Sequence, residues 1–88
     1  MKKNNEFVLR EMADKYILLP FGQNALDFNG VITLNETGKF IWEMLDSESD
    51  IDVIAKEMAA KYGIDEETAK NDTVAFIESL KEDGCIYD

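Results

Sequence analysis

The hydrophobic period of this 88-residue chain changes at Asn35. Before that residue, apolar side chains alternate with polar ones or form short runs between turn residues, which is typical of strands. After it, apolar side chains recur every three or four residues, which is typical of amphipathic helices. Because the two patterns occupy separate parts of the chain, the sequence predicts an α+β fold in which an antiparallel sheet packs against a helical bundle.

A first hairpin is predicted at the N-terminus. Residues 7–12 alternate in polarity, residues 16–19 form an apolar segment closed by Pro20, and Ala13-Asp14 provides the turn between them.

A second hairpin is predicted from segments 25–28 and 31–34, which flank Asn29-Gly30. This dipeptide is typical of a tight hairpin turn because both residues tolerate positive φ. The chain is therefore expected to form four short strands before Asn35.

Three helices are predicted to follow the strands. Asn35 is the expected N-cap of the first and Asp65 that of the third, while either Ser49 or Asp50 can cap the second. The predicted inner faces are Phe40, Ile41, Met44 and Leu45 in the first helix, Ile51, Ile54, Ala55, Met58 and Tyr62 in the second, and Ala69, Thr73, Phe76, Ile77 and Leu80 in the third.

Three glycines and one tryptophan complete the helical prediction. Gly63 and Gly84 are expected to end the second and third helices. Gly38 lies within the first helix, where it lowers stability slightly. Trp42 falls off the apolar stripe of that helix and is expected to be partly buried and outside any site, because so large a ring is seldom left exposed or fully covered.

Catalytic chemistry has little support in the sequence. Histidine is absent, which excludes Ser-His-Asp triads and imidazole ligands for metals. The glycines are scattered and form no phosphate-binding loop. Cys85 is expected to be a small buried hydrophobe rather than a nucleophile. We therefore expect a protein that is not an enzyme and needs no cofactor.

One acidic segment imitates a calcium-binding loop that would begin at Asp46. Its sixth position, which requires glycine, is Ile51, and Ile51 already belongs to the inner face of the second helix. The acidic residues are therefore interpreted as a solvated helix start, and no metal site is predicted. They are Asp46, Glu48, Asp50, Asp52 and Glu57.

The net charge of −10 is unevenly distributed. Residues 1–43 carry six acids and five bases, whereas residues 44–88 carry thirteen acids and four bases. The second half is therefore a poor partner for nucleic acid or another polyanion. No apolar run reaches the ~18 residues of a membrane span and no signal sequence is evident. We expect one soluble, cytoplasmic domain over residues 6–87.

Three groups of residues resemble the PqqD-like family, whose members are RiPP recognition elements. They are residues 26–38 (Leu-Asp-Phe-Asn-Gly-Val-Ile-Thr-Leu-Asn-Glu-Thr-Gly), Ile41-Trp42, and the pattern Asp72-Thr73-x-x-Phe76-Ile77-x-x-Leu80-x-x-x-Gly84-Cys85-Ile86. The resemblance covers roughly residues 6 to 87. The connection from Pro20 to Val31 is longer than in the founding PQQ-biosynthesis protein, so the resemblance extends to the family and not to that pathway.

The resemblance implies a winged-helix-like fold, with N-terminal antiparallel β-hairpins followed by a three-helix bundle. In such a protein the sheet edge and the third helix form a groove for the leader segment of a ribosomally made precursor peptide. The expected partners are that leader and a radical S-adenosylmethionine enzyme, which performs the chemistry.

Peptide-binding residues follow from this expectation. A peptide that joins the sheet as an added strand would pair with the backbone of Val31, Ile32 and Thr33, beside Leu26 and Phe28. The opposing wall would be Ala69, Asp72, Thr73 and Phe76, with Asp72 meeting a basic or amide side chain. Each has an alternative interpretation: Phe28, Val31, Ile32 and Phe76 as core residues, and Asp72 as a solvated helix residue.

Two other functions compete with this interpretation. A winged-helix DNA-binding regulator would use the third helix as its recognition helix, but residues 65–83 carry seven acids and two lysines. A structural adaptor would pair its free strand edge with a second copy as a homodimer. A peptide binder can also dimerise, so oligomeric state alone does not separate these functions.

Overall fold

The computed structural model describes residues 2–20, 32–47 and 50–87 and confirms the α+β fold. The first strand of the predicted second hairpin, its Asn29-Gly30 turn and Ser49 lie outside the described residues. In chain order the elements are β1 (Lys2–Lys3), β2 (Phe7–Met12), β3 (Lys15–Pro20), β4 (Ile32–Leu34), α1 (Glu36–Met44), α2 (Ile51–Tyr62), α3 (Glu66–Glu82) and β5 (Ile86–Tyr87).

Strands β2, β3 and β4 form an antiparallel sheet with β3 in the middle. Leu18 lies opposite both Leu9 and Ile32, and it is completely buried. Ile17 lies opposite Thr33 in the next row. Because successive side chains of a strand point to opposite faces, the Leu18 row faces the helices and the exposed Thr33 lies on the other face.

The first hairpin turns at Ala13, as the sequence predicts. This alanine has a φ of 56°, in the left-handed region that glycine adopts at lower cost. The turn brings Met12 opposite Lys15.

The three helices begin at the predicted caps. The side-chain oxygens of Asn35, Asp50 and Asp65 each accept a hydrogen bond from a backbone N–H in the first turn of α1, α2 and α3, respectively. Since Asp50 caps α2 and residues 51–62 are helical, the segment does not form a calcium loop.

Helix α3 ends in a Schellman motif centred on Gly84. Gly84 has a φ of 79°, its N–H donates to the carbonyl of Lys81 at 3.1 Å, and the N–H of Cys85 donates to that of Leu80 at 2.8 Å. This pattern satisfies the last free carbonyls of the helix, and it turns the chain so that Cys85 returns to the core.

The core lies where the Leu18 face of the sheet meets the inner faces of the three helices. Each fully buried aliphatic side chain contributes about 1.5–3 kcal/mol. The largest of these side chains are Leu18 of β3, Ile41 of α1, Ile54 and Met58 of α2, Ile77 and Leu80 of α3, and Ile86 of β5.

Cys85 is fully buried, as predicted, and this has a consequence for alkaline stability. Burial, and to a smaller extent the nearby Asp83 carboxylate, raises the pKa of the Cys85 thiol to about 12. Between pH 9 and 11 the unfolded chain loses the thiol proton while the folded chain keeps it, so the free energy of unfolding falls as pH rises. The limiting slope is about 1.4 kcal/mol per pH unit.

Urea unfolding of the wild type and of Cys85→Ala at pH 8, 9, 10 and 11 measures this effect. The alanine variant shares every other titrating group with the wild type. The difference in the free energy of unfolding between the two proteins is therefore expected to shrink as pH rises. A difference that stays constant over this range would contradict the raised pKa.

The termini form a small sheet that the sequence did not predict. Strand β1 pairs antiparallel with β5, and Lys3 lies opposite Ile86. The Lys3 ammonium lies 4.6 Å from the centre of the Trp42 ring and 2.9 Å from a carboxylate oxygen of Asp46. Trp42 is only 3% exposed. The expectation of partial burial was therefore wrong, because the N-terminal segment folds over the ring.

Candidate functional site

A groove lies between β4 and α3, and Phe76 and Asn35 line both of its parts. The first part, here called the β4 compartment, has a volume of ≈ 420 Å³ and is lined by Thr33, Leu34, Asn35 and Phe76. The second, here called the α1–α3 compartment, has a volume of ≈ 210 Å³ and is lined by Asn35, Thr37, Gly38, Ile41, Asp72, Ala75 and Phe76. Because they share Asn35 and Phe76, the two compartments lie side by side, and together they are called the groove.

The position of β4 makes its backbone part of this site. β4 is an edge strand of the three-stranded sheet, paired with β3 on one side. Within the described residues, no strand pairs with its other side. Such an edge offers backbone N–H and C=O groups to an incoming chain. Thr33 is exposed on this strand, and Ile32 is half-buried.

Two predicted residues of α3 face the groove and two do not. Asp72 is exposed and Phe76 half-buried, and both line it. Ala69 and Thr73 are fully buried, and the Thr73 hydroxyl donates to the Ala69 carbonyl at 2.7 Å. Each residue of a helix is rotated by about 100° from the one before it. The residues that face the groove, such as Asp72, therefore come one position before residues that face the core, such as Thr73.

The sequence also predicts five site residues before α1. The structure brings Thr33 together with Asp72 and Phe76 around the groove. Leu26, Phe28 and Val31 lie outside the described residues, so their contacts stay predictions. The sequence did not identify six other lining residues, which are Leu34, Asn35, Thr37, Gly38, Ile41 and Ala75.

Gly38 leaves space for the Phe76 ring beside the first turn of α1. A β-carbon at position 38 would lie 2.8 Å from a ring carbon of Phe76 and 3.1 Å from Oδ1 of Asn35. Asn35 Oδ1 also accepts hydrogen bonds from the Gly38 N–H at 2.8 Å and from the Thr37 hydroxyl at 3.0 Å. The glycine therefore lets the helix cap and the aromatic ring occupy adjacent space.

Gly38→Ala is expected to move the Phe76 ring with little change in stability. Alanine gains about 1 kcal/mol of helix propensity over glycine, which offsets the repacking of a half-buried ring. Peptide affinity should fall about three- to tenfold, because the displaced ring narrows the groove. Thermal unfolding and titration calorimetry measure the two effects, and Ala60→Gly, at an exposed position of α2, controls for propensity alone. If Gly38→Ala binds the peptide as tightly as the wild type, the position of the Phe76 ring does not affect peptide binding.

The electrostatics of α3 disfavour a nucleic-acid interface. Glu66, Glu67, Asp72, Glu78 and Glu82 are all exposed on this helix. A recognition helix requires basic and amide groups towards phosphates and base edges. In the described part of the chain, no group of three or more acidic or cysteine side chains could hold a metal ion. No helix within the described ranges is long and apolar enough to cross a membrane.

The fold and the groove define a class of protein. It is a small α+β protein in which a sheet edge and the last long helix border a groove. Residues 15–86 match the sequence profile of coenzyme PQQ synthesis protein D (PqqD). This match covers most of the chain, which therefore belongs to the PqqD family. A comparison with curated protein sequences gives no match.

A solved structure shares the fold. It is described as TbiB1 in complex with the TbiA(beta) leader peptide. The TM-score is 0.77 at 23% sequence identity, and the alignment covers 100% of both chains. At this level of identity the likeness shows a common fold.

Proposed function

We propose that this protein binds the leader segment of a ribosomally synthesised precursor peptide and presents it to a modifying enzyme. The observation that carries the proposal is the groove beside the edge of β4, in a member of the PqqD family. A leader peptide is bound by TbiB1, which has the same fold. The leader extends the sheet next to β4 and places side chains against Phe76.

The energetics require both the edge and the groove. About four strand hydrogen bonds, each contributing on the order of 1 kcal/mol net, fall short of the roughly 8 kcal/mol that corresponds to micromolar binding. Side chains packed against Phe76 and Leu34 supply the difference, since buried apolar area contributes about 25 cal/mol per Å². Backbone pairing therefore orients the peptide along β4, and the groove determines which peptide sequences bind.

The modification itself belongs to a partner, which we propose is a radical S-adenosylmethionine enzyme. Cys85 is fully buried with a raised pKa, so it is protonated and shielded at neutral pH. Among the described residues that line the groove, Asp72 supplies the one carboxylate, and no paired base and nucleophile of the kind that group transfer requires is present. The role of this protein is to hold the substrate.

Isothermal titration with the leader of a short precursor encoded beside this protein tests the proposal. A dissociation constant of tens of micromolar or lower is expected, which corresponds to about 6–8 kcal/mol. A scrambled leader of the same composition is the control. If the folded protein gives no heat with the true leader at those concentrations, the proposal fails.

A further inference from the structure

We infer that the α1–α3 compartment accepts a lysine or arginine side chain of the bound peptide. The stem packs against Phe76, and the cation meets the carboxylate of Asp72. This inference rests on the proposed function and specifies the peptide that the groove prefers.

The size of the α1–α3 compartment fits one side chain. Its volume of ≈ 210 Å³ lies below the roughly 300–1,000 Å³ of pockets that enclose small-molecule ligands. It opens next to the β4 compartment, where the peptide backbone is proposed to lie. A side chain that enters it must therefore extend from the strand across the Phe76 ring.

The charge of the compartment favours a cation. Among the described residues that line it, Asp72 alone is charged, and none of the described lysines or arginines forms a salt bridge with it. The positive end of α1 also reaches this compartment, but the side chain of Asn35 caps it and Glu36 lies in its first turn. The surplus of nine acids over bases in residues 44–88 adds to the negative potential.

The same combination of groups already holds a lysine elsewhere in the protein. Lys3 lies 4.6 Å from the Trp42 ring centre and 2.9 Å from Asp46. Trp42 and Asp46 are four residues apart, as are Asp72 and Phe76 on α3. On α3 this spacing places Asp72 and Phe76 on one face of the helix, whereas Asp46 lies two residues after the end of α1. A ring and a carboxylate in this relation bind both the stem and the charge of a lysine.

The inference is tested by selection from a displayed library of random peptides about twelve residues long. At ~3.3 Å per residue, such peptides span the strand edge and the groove. The baits are the wild type, Asp72→Asn, Asp72→Lys and the control Glu78→Gln, which removes an exposed acid of α3 outside the groove lining.

Peptides enriched by the wild type and by Glu78→Gln are expected to share a lysine or arginine at a fixed position. Replacing that residue by methionine in a synthetic peptide should weaken binding to the wild type about fivefold. The same replacement should leave binding to Asp72→Asn unchanged. Asp72→Lys should enrich an aspartate or glutamate at that position.

Two results would overturn the inference, and they differ in what they say about the proposed function. If the wild type enriches peptides without a basic position, or Asp72→Asn keeps the same basic preference, the inference fails and peptide binding stands. If the folded wild type enriches no peptide, both the inference and the proposed function fail.

Discussion

One of two proline substitutions, Ile32→Pro or Thr33→Pro, is expected to reduce peptide affinity about 10- to 100-fold. The affected position is the one whose backbone N–H points away from β3. In an antiparallel strand, successive residues point their backbone groups to alternate sides. One of these two N–H groups therefore faces the added peptide strand. Proline removes that donor and leaves a peptide carbonyl without a partner, which together cost about 1–3 kcal/mol.

The other proline variant serves as the matched control. There the missing N–H belongs to the β3–β4 ladder, so the main effect is lower stability of the free protein. Circular dichroism melting and calorimetric titration of both variants separate the two effects. If both variants are folded and bind the leader as tightly as the wild type, the edge of β4 is not the binding site.

The fold was largely predictable because its signals are local. Asn35, Asp50 and Asp65 cap the three helices, and Gly63 and Gly84 follow the ends of α2 and α3 in left-handed conformations. Caps and left-handed glycines depend on a few neighbouring residues. The sequence alone therefore identifies them.

The face of α3 that borders the groove was harder to predict. The sequence predicts Ala69, Asp72, Thr73 and Phe76 together as one wall of the groove, although the structure divides them between the groove and the core. Asp72 and Thr73 are adjacent residues, and a rotation of about 100° separates a lining side chain from a buried one. The apolar pattern identifies the centre of the buried face, whereas its border depends on where α1 and β4 pack.

Two features depend on contacts between distant parts of the chain. Strand β1 has two residues, and it exists because β5 lies beside it, more than eighty residues later. Trp42 is covered by that same segment. The packing role of Gly38 also depends on a distant contact. The sequence indicates only that this glycine lowers helix stability, and its close approach to Phe76 becomes evident only in three dimensions.

Phe76→Ala is expected to reduce leader affinity about 30-fold, which corresponds to about 2 kcal/mol. The ring lines both compartments, so its loss removes apolar surface that a bound peptide would contact in each of them. Truncated aromatic anchors at the centre of an interface cause losses of this size. The ring is half-buried, so the free protein should lose less stability than the 3–5 kcal/mol typical of a fully buried phenylalanine.

Phe40→Ala is the matched control for this variant. Phe40 is also a half-buried phenylalanine of the core periphery, but it packs edge-on against Tyr62, with the ring centres 5.8 Å apart, and lies outside the groove lining. Both variants should lower the melting temperature, whereas only Phe76→Ala should weaken the leader titration. Equal affinities for the two variants would show that the bound peptide does not contact Phe76, even if the proline variants confirm that it pairs with β4.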